Sequence, residues 1–260
     1  MAAPRRVLTT TQGLNGPPRR GPFLSWEQRM DQIAMAALAV VLGATLALLA
    51  WQAARAGRAR RAARAAYLDL CGRVFTAHVT KIAATGLPRV SGDFGEHVFD
   101  IQVVADTLNF RKLPALWVLV TLPAPLPVRA TFDMMLRPAG VEAFSAFASL
   151  PDQIEPPAGF PLDCAIRTDD PAGLPAETVL RRHLALFASE RVKELVISPK
   201  GLRIVWLAEE ARRGPYLFFR DAEMGCDPLP AETLRPLLEA LLALRADILA
   251  EARRSVRMTA

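Results

Sequence analysis

The residues best suited to acid–base chemistry lie in and just after the stretch SGDFGEH: Asp93, His97 and Asp100. Two carboxylates and an imidazole can serve as general acid and base where a fold brings them into one cleft. Asp93-Phe94-Gly95 also matches the magnesium-binding triplet of protein kinases. No glycine-rich loop, VAIK-like lysine or HRD loop accompanies it, so a kinase is not indicated. A tethered enzyme with a dispersed site near residues 92–100 remains the alternative hypothesis.

Other chemical motifs are missing from the sequence. Its cysteines and histidines form no CxxC, HExxH or HxH pattern, and neither a P-loop, a GxGxxG turn nor a GxSxG elbow occurs. We therefore expect no metal and no cofactor. The three scattered cysteines are typical of a reducing compartment: Cys71, Cys164 and Cys226.

The positive charge is concentrated near the N-terminus. Residues 1–64 contain ten of the 32 lysines and arginines but only two acids, Glu27 and Asp31. The remainder carries 22 bases and 24 acids, and therefore has no basic surface for a phosphate backbone. We expect no nucleic-acid partner.

An uncharged run between Asp31 and Arg55 is long enough to cross a membrane. Its apolar centre, Ile33–Trp51, has 19 residues, and a helix of about 20 residues spans the hydrocarbon core. A signal peptide has a shorter leader and apolar core, and a buried helix is rarely followed by a burst of arginines. The sequence predicts one transmembrane helix over residues 26–54, flanked by interfacial anchors Trp26 and Trp51.

Five arginines follow this run within ten residues: Arg55, Arg58, Arg60, Arg61 and Arg64. Within about 20 residues on its other side lie only Arg19, Arg20 and Arg29, so the positive-inside rule predicts a cytoplasmic C-terminal domain at the inner or plasma membrane. The five are also candidates for contact with an anionic leaflet. Two alternatives remain open: a topology signal without lipid recognition, and a reversed, extracytoplasmic domain.

The rest of the chain divides by composition. Residues 1–25 are basic and rich in proline, and predict a disordered tail. Residues 55–85 contain no proline and carry an apolar stripe from Tyr67 to Ile82, which predicts a basic juxtamembrane segment and stalk helix. Residues 86–254 should form the globular domain, and residues 255–260 a C-terminal tail.

Short runs rich in valine, threonine and aromatics predict about seven strands. Gly86–His97 should be a turn-rich break before them, and SPKG a hairpin turn. The predicted strands are Phe99–Ala105, Ala115–Leu122, Arg129–Leu136, Leu162–Thr168, Lys193–Ile197, Leu202–Leu207 and Pro215–Phe219.

Apolar residues at helical spacing predict helices within Leu174–Ala188 and Leu229–Ala243, and a short one at Gly140–Leu150. The fold class is thus α+β: a transmembrane helix and stalk, then a mainly antiparallel sheet with helices on one face.

A well-formed anchor joined to a domain without a catalytic motif favours an interaction or accessory protein, such as a minor subunit or assembly factor of a larger membrane complex. Its expected partners are anionic membrane lipid and other membrane proteins. The alanine, arginine and leucine bias is typical of a GC-rich bacterial genome.

Overall fold

The structure, a computed structural model, describes residues 26–107, 113–219, 222 and 224–259. Its first element is a 40-residue helix, α1, Trp26–Ala65. Each residue from Gln28 to Ala56 is exposed, and the helix is long and apolar enough to span a membrane. The chain forms two compact units, of which the first ends at Arg55 and the second begins at Ala56. The predicted tail over residues 1–25 lies outside the described residues.

The predicted stalk helix over residues 55–85 is wrong beyond Ala65. Helix α1 ends there, a single 3₁₀ turn follows at Cys71–Val74, and the first strand, β1, occupies His78–Ile82. Tyr67, Leu68 and Cys71 are each only 1% exposed, so the first part of the apolar stripe belongs to the core of the second unit, whereas every residue of β1, His78–Ile82, is exposed. The helical spacing of the buried residues indicated a regular helix, but tertiary packing of these side chains in the core favours short turns instead.

Within the described residues, nine strands form one antiparallel sheet in the order β1-β2-β3-β4-β9-β8-β5-β7-β6. This confirms the α+β class and the antiparallel sheet, although the strand count exceeds the prediction. The strands after β1 are β2 (Pro88–Phe94), β3 (His97–Asp106), β4 (Ala115–Leu122), β5 (Phe132–Leu136), β6 (Asp152–Ile154), β7 (Cys164–Thr168), β8 (Val192–Ser198) and β9 (Gly201–Glu210).

Three strands were not predicted: β1 from the supposed stalk, β2 from the supposed turn region, and β6. The Gly86–His97 break is therefore mostly strand β2, with a turn only at its end. The SPKG hairpin is confirmed, because Ser198 pairs with Gly201 between β8 and β9.

Three helices follow α1: α2 (Glu177–Arg182), α3 (Arg213–Phe219) and α4 (Ala231–Thr259). The predicted strand Pro215–Phe219 is thus helical, and Pro215 stands in its first turn, where the missing N–H costs nothing. The predicted helix Gly140–Leu150 contains only a 3₁₀ turn, Phe147–Ser149. Residues 255–259 continue α4 rather than forming a tail.

The main core lies between one face of the sheet and α4. Leu234, Leu238 and Leu241 of α4 are fully buried in one cluster with Phe99 and Ile101 of β3. The opposite face, called the second face below, carries a smaller cluster: Leu119, Met135, Phe144, Phe147 and Val205. Phe144 and Phe147 come from residues 138–150, the covering segment, which packs over part of the second face.

Candidate functional site

The glycine turn does not assemble the predicted acid–base residues. Gly95 and Glu96 form a two-residue hairpin turn with φ of 57° and 63°, and Phe94 pairs with His97 across it. Because side chains alternate along a strand, His97 lies on the same face as buried Phe99, whereas Asp100 lies on the second face. Asp93 shares the second face, since it pairs with Val98. The three residues therefore do not line one cleft.

Asp100 instead forms an ion pair with Arg89 of the neighbouring strand β2. The Arg89 guanidinium donates two hydrogen bonds to its carboxylate, at 2.7 and 2.9 Å. A bidentate pair of this kind fixes the positions of both side chains. The three residues thus do not form one site, and the enzyme hypothesis stays a prediction.

The arginines after the apolar run are unequally placed. Arg55, Arg58, Arg60 and Arg61 are exposed, whereas Arg64 is half-buried and donates a 3.4 Å hydrogen bond to the Ala222 carbonyl. The Arg55 guanidinium lies 5.6 Å from the centre of the Trp51 ring. Trp26 and Trp51 are 74% and 53% exposed. Contact of these residues with lipid remains a prediction.

The thiols and histidines are scattered in space as well as in sequence. All three cysteines are free: Cys71 is buried and Cys226 exposed, with Cys164 between these extremes. Among the residues that the structure describes, no group of three or more His, Cys, Asp or Glu side chains is placed to hold a metal ion.

A charged cavity of about 790 Å³ opens at one end of the sheet. It lies where β3 and β9 end and where β4 and β8 begin. Acidic and basic side chains line it, and Trp117 forms an apolar wall that packs on Phe144, with ring centres 4.6 Å apart. Its charged lining residues include Asp106, Arg137, Glu142, Asp163, Lys193 and Glu210.

A buried ion pair forms part of the cavity wall. The Lys193 ammonium lies 3.1 Å from a Glu142 carboxylate oxygen and donates a 2.7 Å hydrogen bond to the Arg137 carbonyl. Arg137 in turn reaches the Asp163 carboxylate at 3.2 Å and the Glu190 carbonyl at 2.8 Å. These contacts tie the covering segment and the start of β7 to β8.

A second buried polar group lies beside this pair. Asp133 of β5 and Glu194 of β8 are 2% and 1% exposed, and their side chains are hydrogen-bonded to each other. Ser145 of the covering segment also bonds to the Glu194 carboxylate. An irregularity in the β8–β9 pairing falls between Val192 and Glu194. Such a bulge allows consecutive Lys193 and Glu194 both to meet the covering segment.

Burial sets the charge of this carboxyl pair. It raises the pKa of Asp133 to about 9, helped by the neighbouring Glu194 charge and hydrogen bond and opposed by Arg203. It also raises the pKa of Glu194 to about 7, against the lowering effect of the Ser145 hydrogen bond and of Arg203. At neutral pH Asp133 is therefore protonated and can donate to Glu194.

This arrangement favours holding the covering segment rather than catalysis. Asp133 and Glu194 are sealed from solvent, and neither lines the charged cavity. The cavity itself exposes acids and bases that can meet charged groups of another molecule. Sequence reasoning missed these residues, yet a signal existed: Asp133 stands alone in the apolar strand FDMML, and Lys193-Glu194 opens the apolar strand KELVI.

Comparison of the chain with known protein families and with curated proteins finds no match. The function proposed for this protein therefore rests on its own residues.

Proposed function

We propose that this protein is a single-pass, membrane-anchored accessory protein, such as a minor subunit or assembly factor of a larger membrane complex. The observation that carries the proposal is helix α1, whose apolar residues from Ile33 to Trp51 are exposed throughout. An exposed run of 19 residues that are all apolar except Gly43 and Thr45 is stable in a bilayer and unfavourable in water. We place the second unit on the cytoplasmic side, because within about 20 residues of the run five arginines follow it and three precede it.

The second unit is built onto the end of this helix. The unit begins at Ala56, within α1, and the residues after the helix enter its core at Tyr67 and Leu68. The Leu229 backbone N–H donates a 2.8 Å hydrogen bond to the Tyr67 carbonyl. The residues that follow α1 are thus part of the core of the second unit.

An open part of the second face supports an interaction role. Lys81, Arg89 and Ser91 are exposed there, and Asp100 and Gln102 are half-buried. A groove of about 530 Å³ crosses this region and also includes Val79, which is 61% exposed. Mixed polar and apolar surface of this kind is typical of transient protein interfaces. We take this open face to be the partner-binding surface.

Purification in gentle detergent tests the proposal. The tagged full-length protein is extracted from native membranes, and co-eluting proteins are quantified by mass spectrometry. We expect one or a few membrane proteins in near-equal amounts. A chain beginning at Ala56 keeps the core residues Tyr67 and Leu68 and should lose membrane partners that depend on the anchor.

A pair of matched variants tests the open face itself. Ser91→Arg adds a large cation to the groove, and Ser149→Arg adds the same group at another exposed position, in the covering segment. Only Ser91→Arg should reduce recovery of the partner. If the full-length protein elutes alone, or if both variants behave alike, the accessory role through this face is wrong.

A further inference from the structure

The five arginines after the apolar run fall on different sides of helix α1. Residues three or four positions apart share a helix face, and successive residues are separated by about 100°. Arg60 and Arg64 therefore form one pair, called the inner pair. Arg58 and Arg61, three positions apart, are called the outer pair. Arg61 is also three positions from Arg64, so the two pairs are separated by their contacts and not by their spacing.

The inner pair faces the second unit. Arg60 and Arg64 line a pocket of about 350 Å³, whose other charged lining residues are the acids Glu209, Glu210 and Asp227 and the bases Arg191 and Arg212. Arg64 is half-buried and bonds to the Ala222 carbonyl. Its alkyl chain also passes close to Gly225, where an added Cβ would lie 3.6 Å from the Arg64 Cγ. These contacts hold the end of α1 against the loop that precedes α4.

The outer pair faces solvent. Arg58 and Arg61 are exposed, and neither forms an ion pair or a hydrogen bond with any residue that the structure describes. Two like charges at this spacing repel each other unless an anion lies between or beside them. The fold therefore provides acidic partners beside the inner pair and leaves the outer pair to an external anion.

The position of the outer pair along the helix favours phospholipid as that anion. Arg58 and Arg61 follow Trp51 by seven and ten residues, or roughly 10–15 Å along a helix axis. Helical side chains tilt toward the N-terminus, which here is the direction of the apolar run, and arginine extends its guanidinium toward the interface. The Arg58 and Arg61 guanidinium groups then either contact the phosphates of the headgroup layer or lie within about one Debye length of them.

We infer that Arg58 and Arg61 bind the phosphates of anionic phospholipids, whereas Arg60 and Arg64 position the second unit on the helix. This inference rests on the proposed membrane anchoring and adds to it a division of roles among the arginines. Topology signalling depends on the number of arginines near a span, so it does not distinguish the two pairs. Lipid affinity does distinguish them.

Two double variants with equal charge test the inference: Arg58→Gln/Arg61→Gln and Arg60→Gln/Arg64→Gln. Glutamine keeps a high helix propensity and removes one charge at each position. Full-length wild type and variants in detergent are titrated with phosphatidylglycerol or phosphatidylcholine, and bound lipid is counted by native mass spectrometry. Thermal unfolding of the same samples reports the stability of the second unit.

Wild type should bind phosphatidylglycerol more tightly than phosphatidylcholine. The outer variant should lose that preference, with roughly tenfold weaker phosphatidylglycerol binding and an unchanged Tm. The inner variant should keep phosphatidylglycerol affinity within about twofold and show a lower Tm. Equal losses in both variants, a loss confined to the inner variant, or no loss in either would overturn the division.

Alkaline extraction of membranes shows whether the division of roles among the arginines is wrong by itself or whether the proposed membrane anchoring is wrong as well. If wild type is released by carbonate, the anchor itself is wrong, and the lipid inference falls with it. If wild type and both variants stay in the membrane pellet while their lipid affinities fail to differ, only the division of roles is wrong.

Discussion

The Lys193 ammonium lies 3.1 Å from the Glu142 carboxylate, and their side chains are only 6% and 3% exposed. Lys193 belongs to β8, whereas Glu142 belongs to the covering segment. Moving two charges out of water is unfavourable unless they are paired and also hydrogen-bonded. Lys193 meets both conditions, because it also donates a hydrogen bond to the Arg137 carbonyl. The pair therefore fixes the covering segment on the second face.

Removal of one member of the Lys193–Glu142 pair should lower the free energy of unfolding more than removal of both. Lys193→Met leaves a buried, unpaired carboxylate, and we expect the free energy of unfolding to fall by about 3–5 kcal/mol. The double variant Glu142→Leu/Lys193→Met should recover most of this loss, because no uncompensated charge remains. Urea unfolding of the full-length protein in detergent micelles measures both effects.

Glu177→Gln is the control for this experiment. Glu177 and Arg181 form an exposed pair one helical turn apart, so its loss should change stability by less than about 0.5 kcal/mol. A Lys193→Met variant no less stable than this control would show that the buried pair does not hold the covering segment.

The Asp133–Glu194 pair should make the protein less stable as the pH rises. Both folded pKa values are raised, to about 9 and about 7, above unfolded values near 4. The folded state thus retains protons that the unfolded state has lost, and stability falls with pH from about 4 to about 9. We expect Tm to decrease by roughly 5 °C or more between pH 5 and pH 9.

Asp133→Asn should flatten this pH profile. Asparagine has the shape of a protonated aspartic acid and can donate to Glu194, but it does not ionise in this range. The exposed carboxyl of Asp152 provides a matched control, and Asp152→Asn should leave the slope unchanged. An Asp133→Asn slope equal to that of wild type would exclude a shared proton in the buried pair.

Much of the sheet could be predicted because five of its strands, β3, β4, β7, β8 and β9, are rich in β-branched or aromatic residues. Strand β2 was missed because Gly92 resembles a turn residue. In the structure a Cβ at Gly92 would lie 2.5 Å from the Phe75 ring, so the glycine permits close approach of that ring to the strand. Such a long-range contact leaves no periodic signal.

The prediction of a stalk helix beyond Ala65 was wrong for a related reason. Tyr67, Cys71 and Val74 are spaced as in a helix, but they lie in a series of short turns that place their side chains in the core. The ionisable groups of the two buried pairs come from three separate parts of the chain, around residues 133, 142 and 193. Spacing in the sequence therefore cannot show that they meet, because register and the covering segment bring them together.

Gly201 should be essential for the β8–β9 hairpin. Its φ is 144°, and a Cβ there would lie 2.2 Å from the Leu122 carbonyl oxygen. Gly201→Ala combines backbone strain with a steric overlap, and we expect a loss of at least about 2 kcal/mol in urea unfolding.

Gly214→Ala is the matched control, since a Cβ there meets no atom within 4 Å and the residue lies in α3. It should be neutral or slightly stabilising. Equal stabilities of the two alanine variants would contradict the hairpin geometry.

Cysteine labelling in intact cells should report the side of the membrane on which the second unit lies. Cys226 is exposed, whereas burial raises the pKa of Cys71 to about 12 and also raises that of Cys164. A membrane-impermeant maleimide at neutral pH should therefore react mainly at Cys226. We expect no reaction in intact cells, strong reaction after permeabilisation, and its loss in Cys226→Ser. Labelling of Cys226 in intact cells would place the unit outside the cytoplasm.

Anchoring by helix α1 is the central claim, and alkaline carbonate extraction tests it most directly. Isolated membranes are washed at high pH, and the full-length protein is compared with a chain that begins at Ala56. The full-length protein should remain in the membrane pellet, because the 19-residue, mainly apolar run from Ile33 to Trp51 stays in the bilayer. The shortened chain should be found in the supernatant. Release of the full-length protein by carbonate would contradict the account.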